Sequence, residues 1–528
     1  MKYALAYDIG TTGVKTCLFE IDKSIKLVAD AIEGYELYVL PGGGAEQDPD
    51  EWWAAMCKTT KELFTKTDVT PDMVDGISFC SQAQGLVLVD KEGRHVRRAM
   101  SYMDQRAREE LKELMAYGPQ IAGANIPKLL ISLQKTGAVA ASVKDPVYKY
   151  NWVRKNEPEV FSRVHKWLDV KEYFIARMTG EFCMTHDSAF ATLLYDIKKN
   201  EFSASMCKML GVDMKHLPDI KNSAEKIGEL LPTPAAELGL APGTAVFGGG
   251  GDASLIGVGA GSVAMGDTHV YSGTSGWVST VVDKSIVDAS AMIAAVLGAE
   301  VGRYNYFGEL ETAGKCLEWV KDHLALDEIG VYLEKTNVTD GYEGKYTSLY
   351  DYMTDVVSKV PAGANGVIFT PWLHGNRCPF EDPNARGMFF NISLETGKSE
   401  MIRAVLEGVC YHLRWFLETE EKKVKSSEHI RFVGGGALSD LTCQILADCT
   451  GKVVETVDTP QNVGAMGAAV LIAVGIGEVE SIAAAKKLIP VAKTFTPNME
   501  AKAVYDKYFQ VYKNLYPSNK KNFAALNS

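Results

Sequence analysis

Apolar positions at the start of the chain fall into two runs either side of a polar, glycine-bearing segment: YALAY, then DIGTTG, then VKTCLFEI. Gly10 and Gly13 permit a tight reversal, so the pattern predicts a strand, a turn and a second strand. The same plan returns about half a chain later in MGDTHVYSGTSGWVSTVVD, with Ser272-Gly273-Thr274-Ser275-Gly276 at the turn. Two hairpins of one design at that separation indicate a duplicated architecture rather than a short-period solenoid.

Between them, DEWWAAMCKTTKELF (50–64) has helical apolar spacing after an Asp cap, and VDGISFCSQAQGLVLVD (74–90) predicts two buried strands around a polar turn. LDVKEYFIARMTGE continues the alternation, which is α/β patterning. ELGLAPGTAVFGGGGDAS closes the first half with a turn, a short strand and a glycine run, dividing the chain near 245 into domains 1–245 and 246–528. Downstream, 399–423 predicts a long amphipathic helix, RFVGGGALSDLTCQILADCTG a strand, glycine turn and helix, and 499–515 a final helix. A chain of 528 residues also exceeds what one core supports.

Composition narrows the partners. Hydrophobic residues at 46% and charged residues at 23% are ordinary globular values. Lys+Arg 55 against Asp+Glu 67 gives −12, which argues against nucleic acid or an anionic membrane as the main partner. The ten cysteines form no CxxC pair and the nine histidines no HxxxH spacing, so free thiols in a reducing compartment are expected and no zinc site. The N-terminal apolar run is broken by Asp8, and no stretch approaches ~18 uninterrupted apolar residues. A cytoplasmic protein is expected, and a homodimer stays open.

The turns carry the candidate chemistry. DIGTTGVK places Asp8, Thr11, Thr12 and Lys15 around closely spaced backbone N–H groups. Phosphate oxygens need donors and a cation, and Mg²⁺ needs hard oxygen ligands, so one turn can serve both. It is not a Walker A loop, because GxxxxGK[ST] is absent. The SGTSG turn doubles the donors, and Gly434-Gly435-Gly436-Ala437 adds bare backbone between a strand and a helix. In GGGGDASLIGVGAG, Asp252 follows four glycines. It reads either as a helix cap after a loop or as a carboxylate at the mouth of a cleft.

The set DIGTTGVK, YMDQRA, GGGGDASLIGVGAG, YSGTSG, ETAGKCLEWV, NRCPFEDPNARGMFFNISLET and GGGALSDLTCQILADCTGKVV, in that order, resembles the FGGY family of carbohydrate kinases along essentially the whole chain, and its xylulokinase branch most. The resemblance implies two α/β domains of the ribonuclease H-like, actin-like ATPase fold hinged around a central cleft, binding ATP with Mg²⁺ and a small sugar or polyol. It implies that Asp8 holds Mg²⁺ largely through water, and that Gly10, Thr11, Thr12 and Lys15 meet the nucleotide phosphates. Gly273 and Thr274 match the turn near the transferred phosphate, and Gly314, Gly435, Gly436 and Asp440 line the nucleotide site. Asp440 stands where several relatives carry Asn. Asp104 and Arg106 match a sugar-side motif usually written with Trp, here Tyr102.

Asp252 matches the family's general base, close to both sugar and metal. Phosphoryl transfer passes through a loose transition state, so the protein mainly positions the acceptor hydroxyl while one carboxylate takes the proton late. A helix N-terminus behind Asp252 helps keep it ionised. Two departures bear on the sugar. Xylulokinases typically read Met-His-Gly where this chain has Ala83-Gln84-Gly85, and Asn or Gln where it has Ala253. Gln84 still offers hydrogen bonds at the sugar, Ala253 does not, and lost contacts of this kind retarget specificity. A pentulose leads, with other ketoses, tetritols and sugar acids behind it.

Two rival classes fit less well. An actin-like or chaperone-type ATPase shares the phosphate turns but has no use for YMDQR or a base at the cleft mouth. A sugar sensor on a kinase scaffold would be expected to lose Asp8, Asp252 or the turns, and all are present. Trp52 and Trp53 read as core anchors, His374 to Arg377 as a structural loop, and Glu420 to Lys423 as a solvated helix end. Asp187 stays open between substrate group and helix cap.

Overall fold

The computed structural model describes residues 1–121, 123–324, 354–355 and 357–527. Two mixed sheets organise them, and only their strands and the helices that matter to the site are numbered. In the first, β1 (Lys2–Ile9), β2 (Gly13–Ile21) and β3 (Ile25–Gly34) form an antiparallel meander, and β4 (Val74–Ser81) lies parallel to β1. β5 (Lys226–Glu229) runs antiparallel to β6 (Ala245–Phe247), which lies parallel to β4, and β7 (Gly250–Gly251) pairs with β4 further along.

The second sheet repeats the plan. β8 (Thr268–Ser272) and β9 (Gly276–Val282) are an antiparallel hairpin; β10 (Val287–Asp288) and β11 (Ile293–Leu297) form one edge, and β12 (Tyr304–Leu310) joins them to β9. β13 (His429–Val433) lies parallel to β8 and β14 (Val453–Thr456) parallel to β13, with β15 (Lys493–Phe495) antiparallel at the far edge. Three antiparallel strands followed by two parallel ones thus occur in each half, which is the duplication that the paired hairpins predict. The polar turn in 74–90 does not close a hairpin: β4 stays in the first sheet, while the buried strand Val87–Val89 pairs with Lys166–Leu168.

Helices cover the sheets. In α1 (Pro49–Leu63) the Asp48 carboxylate accepts from the Asp50 N–H at 3.0 Å, Pro49 fills the first turn, and Trp52, Trp53, Met56 and Leu63 are buried among core side chains. α2 (Val170–Thr179) starts at an Asp169 cap and stops at a left-handed Gly180. α3 (Asp252–Gly259) follows the glycine run, α4 (Gly314–Leu324) follows β12, and α5 (Lys398–Glu420) is the long helix. α6 (Asp440–Thr450) and α7 (Val463–Gly475) flank β14, and α8 (Met499–Asn527) closes the chain.

Three expectations change here. α8 runs past 515 through Pro517; the proline removes one N–H, while Tyr512, Leu515, Tyr516 and Phe523 remain buried and hold the helix against the core. Glu420 is not a solvated helix end, because it shares a face with Phe416 and Leu417 and is fully buried. Its Oε2 accepts from Thr280 Oγ1 at 2.9 Å, and burial pushes the carboxyl well above the usual carboxylate range, so solvent begins at Glu421. Asp252 is the first residue of α3, with Gly251 in the cap position. All ten cysteines are free, and among the described residues no helix is long and apolar enough to cross a membrane.

α3 and α7 cross with their backbones in contact. A methyl group on Gly259 would sit 1.9 Å from the Val463 carbonyl oxygen, and one on Gly467 2.3 Å from that of Leu255. α7 is buried from Val463 to Ala473 and packs on β1 and β4, although it is supplied by the C-terminal half of the chain. Gly259→Ala should therefore lower the urea midpoint, with a loss of about 1–3 kcal/mol or more. A midpoint equal to that of the unsubstituted protein would show that the helices do not meet through these glycines.

Candidate active site

The first turn is fixed from behind by its carbonyls. The Gly10 N–H donates to the Gly13 carbonyl at 2.9 Å, and the Gly10 carbonyl accepts from the Tyr35 hydroxyl at 2.5 Å and Gln82 Nε2 at 3.1 Å. The Thr11 carbonyl accepts from Gln47 Nε2 at 2.6 Å and the Thr12 carbonyl from the Tyr35 N–H at 3.1 Å. With those oxygens occupied, the N–H groups of Thr11 and Thr12 have no acceptor among the described residues. Two adjacent free N–H groups in a turn form an anion cradle. Thr11 Oγ1 lies 3.3 Å from the Tyr102 hydroxyl, and Lys15 Nζ donates to the Gln461 carbonyl at 2.7 Å, just before α7.

The second turn is held by α4. The N–H groups of Gly314 and Ala313 donate to the Gly273 and Thr274 carbonyls at 2.8 and 3.1 Å, and the Gly273 N–H donates to Ser275 at 2.9 Å. A methyl group on Gly314 would lie 2.4 Å from the Gly273 oxygen, so only glycine lets α4 begin there. Gly436 approaches Ser272 from the other side, and the missing side chain of Gly435 would meet open space. Gly273, Thr274, Gly314, Gly435 and Gly436 are thereby brought to one region. Asp440 opens α6 nearby but is exposed, with Oδ1 paired to Lys493 Nζ at 2.7 Å.

Between the sheets lies an acid centre. Asp8, at the end of β1, faces Lys15 across the β1–β2 ladder and neighbours Cys80 on β4; Gly250 of β7 flanks Cys80 on the other side. From Gly250 the chain enters α3 within two residues, which delivers Asp252 to the same place. Its Oδ1 accepts from the Ala253 N–H at 2.7 Å. Asp187, left open by the sequence, accepts from the Gly251 N–H at 2.8 Å and from the Thr185 hydroxyl, so it anchors the strand that presents Asp252. Gly464 completes the closure: a methyl group there would lie 2.7 Å from Asp8 Oδ2 and 2.9 Å from Cys80 Sγ, so α7 can start against the carboxylate.

Charge at this centre is crowded. Burial, then the acids Asp8, Glu309 and Asp187, push Asp252 up to about 7 against the opposing Ala253 N–H. Burial raises Asp8 as well, opposed by Lys15 and Cys80, and burial followed by Asp8 and Asp252 carries the Cys80 thiol well above its ordinary value. The helix N-terminus expected to keep Asp252 ionised is thus outweighed. Two half-buried carboxylates of like charge are a hard-oxygen donor pair, which fits Mg²⁺.

Gln84, expected at the sugar, adopts a left-handed backbone, with φ 63°. Its N–H and that of Gly85 donate to Asp169 Oδ2 and Oδ1 at 2.8 and 2.9 Å, and its carbonyl accepts from the buried Lys149 Nζ at 2.8 Å. Burial lowers Lys149 to about 8 and, with Glu172, raises Asp169 to about 7. An over-determined, strained residue marks a candidate functional position. Lys149 also donates to the Ser101 carbonyl at 2.8 Å, tying Gln84 to the segment that carries Tyr102.

Asp104 and Arg106 grip one another. The fully buried Asp104 accepts from the Ala45 N–H and from Arg106 Nη2, at 2.8 and 2.7 Å, and Arg106 also reaches Glu46 Oε1 at 2.6 Å and lies over the Trp152 ring. Tyr102 and Met103 are the exposed members of the motif. Arg377, in the His374 loop, pairs with Glu309 Oε2 at 2.8 Å, and Asn305 Nδ2 holds the Ala253 carbonyl at 2.8 Å. Sequence reasoning missed Cys80, Lys149, Asp169 and Glu309. Strand register could have found Cys80 beside Asp8; the others are brought in by long-range packing.

Residues 3–259 match the N-terminal domain and residues 269–476 the C-terminal domain of the FGGY family of carbohydrate kinases. A xylulose kinase of Bacillus subtilis (strain 168) is 29% identical over 539 residues, covering 100% of this chain and 99% of its own length. Among solved structures, a ligand-bound xylulose kinase from Lactobacillus acidophilus superposes with a TM-score of 0.83 at 26% identity, covering 100% of both chains. A gluconate kinase from the same organism gives 0.82 at 25%, covering 99% of each. With matched domains spanning both halves, the two sheets of repeated topology and the turns between them, the chain belongs to the FGGY family of carbohydrate kinases, two-domain α/β enzymes of the actin-like ATPase fold.

Proposed function

We propose that this ATP-dependent carbohydrate kinase transfers the γ-phosphoryl group to a hydroxyl of a pentulose, D-xylulose first, with Asp252 as general base. The observation that carries the reading is Asp252 itself: a half-buried carboxylate raised to about 7, anchored through Gly251 and Asp187 beside Asp8. The free N–H groups of Thr11 and Thr12 and the turn at Gly273 and Thr274 bind phosphate oxygens, and Gly314, Gly435, Gly436 and Asp440 border the nucleotide. Gln84 hydrogen-bonds the sugar, Tyr102 walls it, and Asp104 with Arg106 holds that wall in place. Mg²⁺, held by Asp8 and Asp252, supplies neutralisation of charge on the transferring group. The substrate reading is supported by similarity to xylulose kinases. A sugar acid is the second reading, supported by similarity to a gluconate kinase.

ADP release should rise above its basal rate with D-xylulose in a coupled assay across ketoses, polyols and sugar acids. Turnover with gluconate alone would move the proposal to its second reading, and a flat rate with every acceptor would defeat it. Asp252→Asn should reduce transfer by about a hundredfold or more with nucleotide affinity retained. Near-normal turnover would remove Asp252 as the base.

The raised value also sets a stability test. A carboxyl higher in the folded than in the unfolded chain destabilises the fold above its unfolded value, fully so above about 7. Without metal or nucleotide, Asp252→Asn should therefore raise the melting temperature, more at pH 8 than at pH 5. A gain that is absent, or larger at pH 5, would contradict the crowding of charge at this centre.

A further inference from the structure

The strand that presents Asp252 has no side chains of its own to pack. β7 consists of Gly250 and Gly251 and follows Gly248 and Gly249, so backbone contacts place the whole run. The N–H groups of Gly248 and Gly249 donate to the Glu225 and Ser223 carbonyls at 3.2 and 2.9 Å. The Gly251 N–H, the last before Asp252, donates instead to a side chain, Oδ2 of Asp187, at 2.8 Å. Where Asp187 stands therefore bears directly on where Asp252 stands.

Asp187 is in turn held by a buried lysine. Lys171, in the first turn of α2, donates from Nζ to the Glu172 carboxylate, to Thr185 Oγ1 at 2.6 Å and to Ser188 Oγ at 2.7 Å. Burial pulls Lys171 down, but Glu172 and then Asp187 outweigh it and hold the ammonium above its ordinary value. All three of its protons are therefore present, and all three are used. An ammonium only donates, so Thr185 Oγ1 accepts from Lys171 and gives its single proton to Asp187 Oδ1, 2.5 Å away, rather than to Ser188 Oγ at 3.4 Å. One directed path runs from Lys171 through Thr185 and Asp187 to the Gly251 N–H. Asp169, which fixes the Gln84 and Gly85 N–H groups, caps the same helix, so the start of α2 supports the candidate sugar contact and the candidate base together.

We infer that Lys171 and Thr185 are positioning residues for Asp252, an inference that rests on Asp252 being the base. Lys171 has its protons committed to Glu172, Thr185 and Ser188, so it acts through Thr185 and Asp187. Displacing a reacting group by about 1 Å can cost about a hundredfold in rate, a tolerance that a run of glycines does not provide by itself. The relay takes it from α2, which is packed on β4 and β6 of the first sheet. Apolar residues of similar volume often stabilise a fold as well as a buried ion cluster does, so directed placement, and not stability, is what this cluster supplies.

Two readouts on the full chain test the relay. Hydrogen exchange of the metal-free protein, followed by mass spectrometry, should be about fivefold faster or more over 248–255 in Thr185→Val than in the unsubstituted chain. With ATP, Mg²⁺ and D-xylulose, the same variant should lose kcat about tenfold or more while both KM values stay within about twofold, the mark of a misplaced base rather than lost binding. Thr185→Ser, which keeps the hydroxyl, should restore kcat and exchange. Thr280→Val removes a comparable buried hydrogen bond, to Glu420, towards the far end of β9, and should lower the melting temperature without moving either readout. Lys171→Met should act as Thr185→Val does; should it fail to fold by circular dichroism, Thr185→Val breaks the same path one link further on and carries the test. Unchanged exchange over 248–255 in Thr185→Val would overturn the proposal, as would faster exchange with normal kcat, or an equal loss of kcat in Thr280→Val. Turnover by Asp252→Asn would instead fault the base, and exchange alone would then decide the relay.

Discussion

Backbone contact between α3 and α7 is the constraint on which the rest of the structure depends. Helices usually pack with their axes 8–10 Å apart because side chains stand between them. Here Gly259 and Gly467 remove those side chains, and a methyl group on either would fall inside the other helix's carbonyl. One further glycine, Gly464, lets the start of α7 reach Asp8 and Cys80. α3 begins with Asp252 and α7 covers β1 and β4, so this single crossing sets where the two carboxylates stand relative to each other. A helix from the C-terminal half is thereby built into the layer over the first sheet.

The cost of that placement is electrostatic. Asp8, Asp187, Asp252 and the Cys80 thiol share a partly buried volume, and each of the three carboxylates raises the proton affinity of at least one neighbour. Hydrogen bonds offset only part of this: the Ala253 N–H serves Asp252, and Asp187 is committed to Gly251 and Thr185. A site with unrelieved negative charge is poised for a divalent cation, and the turn at Thr11 and Thr12, with its N–H groups free, is poised for the opposite charge. The proposed substrate, ATP with Mg²⁺, would meet both demands in one ligand.

Legibility in the sequence followed how local the cause was. Both hairpins, α1, α2 and the glycine turn before α6 were readable because periodicity, caps and glycines act within a few residues. The strand at Val87–Val89 was readable as buried but not as part of a separate sheet, because its partner Lys166–Leu168 is distant in the chain. Glu420 misled because two acids followed by two lysines resemble a solvated end, and only its place on the apolar face of α5 decides otherwise. At the candidate site, Asp8, Asp252 and the glycines stood out as motifs. Lys149 and Asp169 did not, since a buried lysine on one helix and a cap on another acquire meaning only when both close on Gln84.

That clamp bears on specificity. Gln84 is held in a left-handed conformation by contacts to its backbone alone, which leaves its side chain uncommitted among the described residues. A side chain supported in this way can be exchanged without rebuilding the loop, because the groups that force the conformation do not touch it. Ala253 is the complementary case: its carbonyl is held by Asn305, and its side chain offers no hydrogen bond. On the proposed assignment, reaction and sugar choice are therefore separable in this fold. The reaction is tied to the helix crossing, where a single methyl group is too much, and sugar choice to positions where the backbone is fixed and the side chain is free.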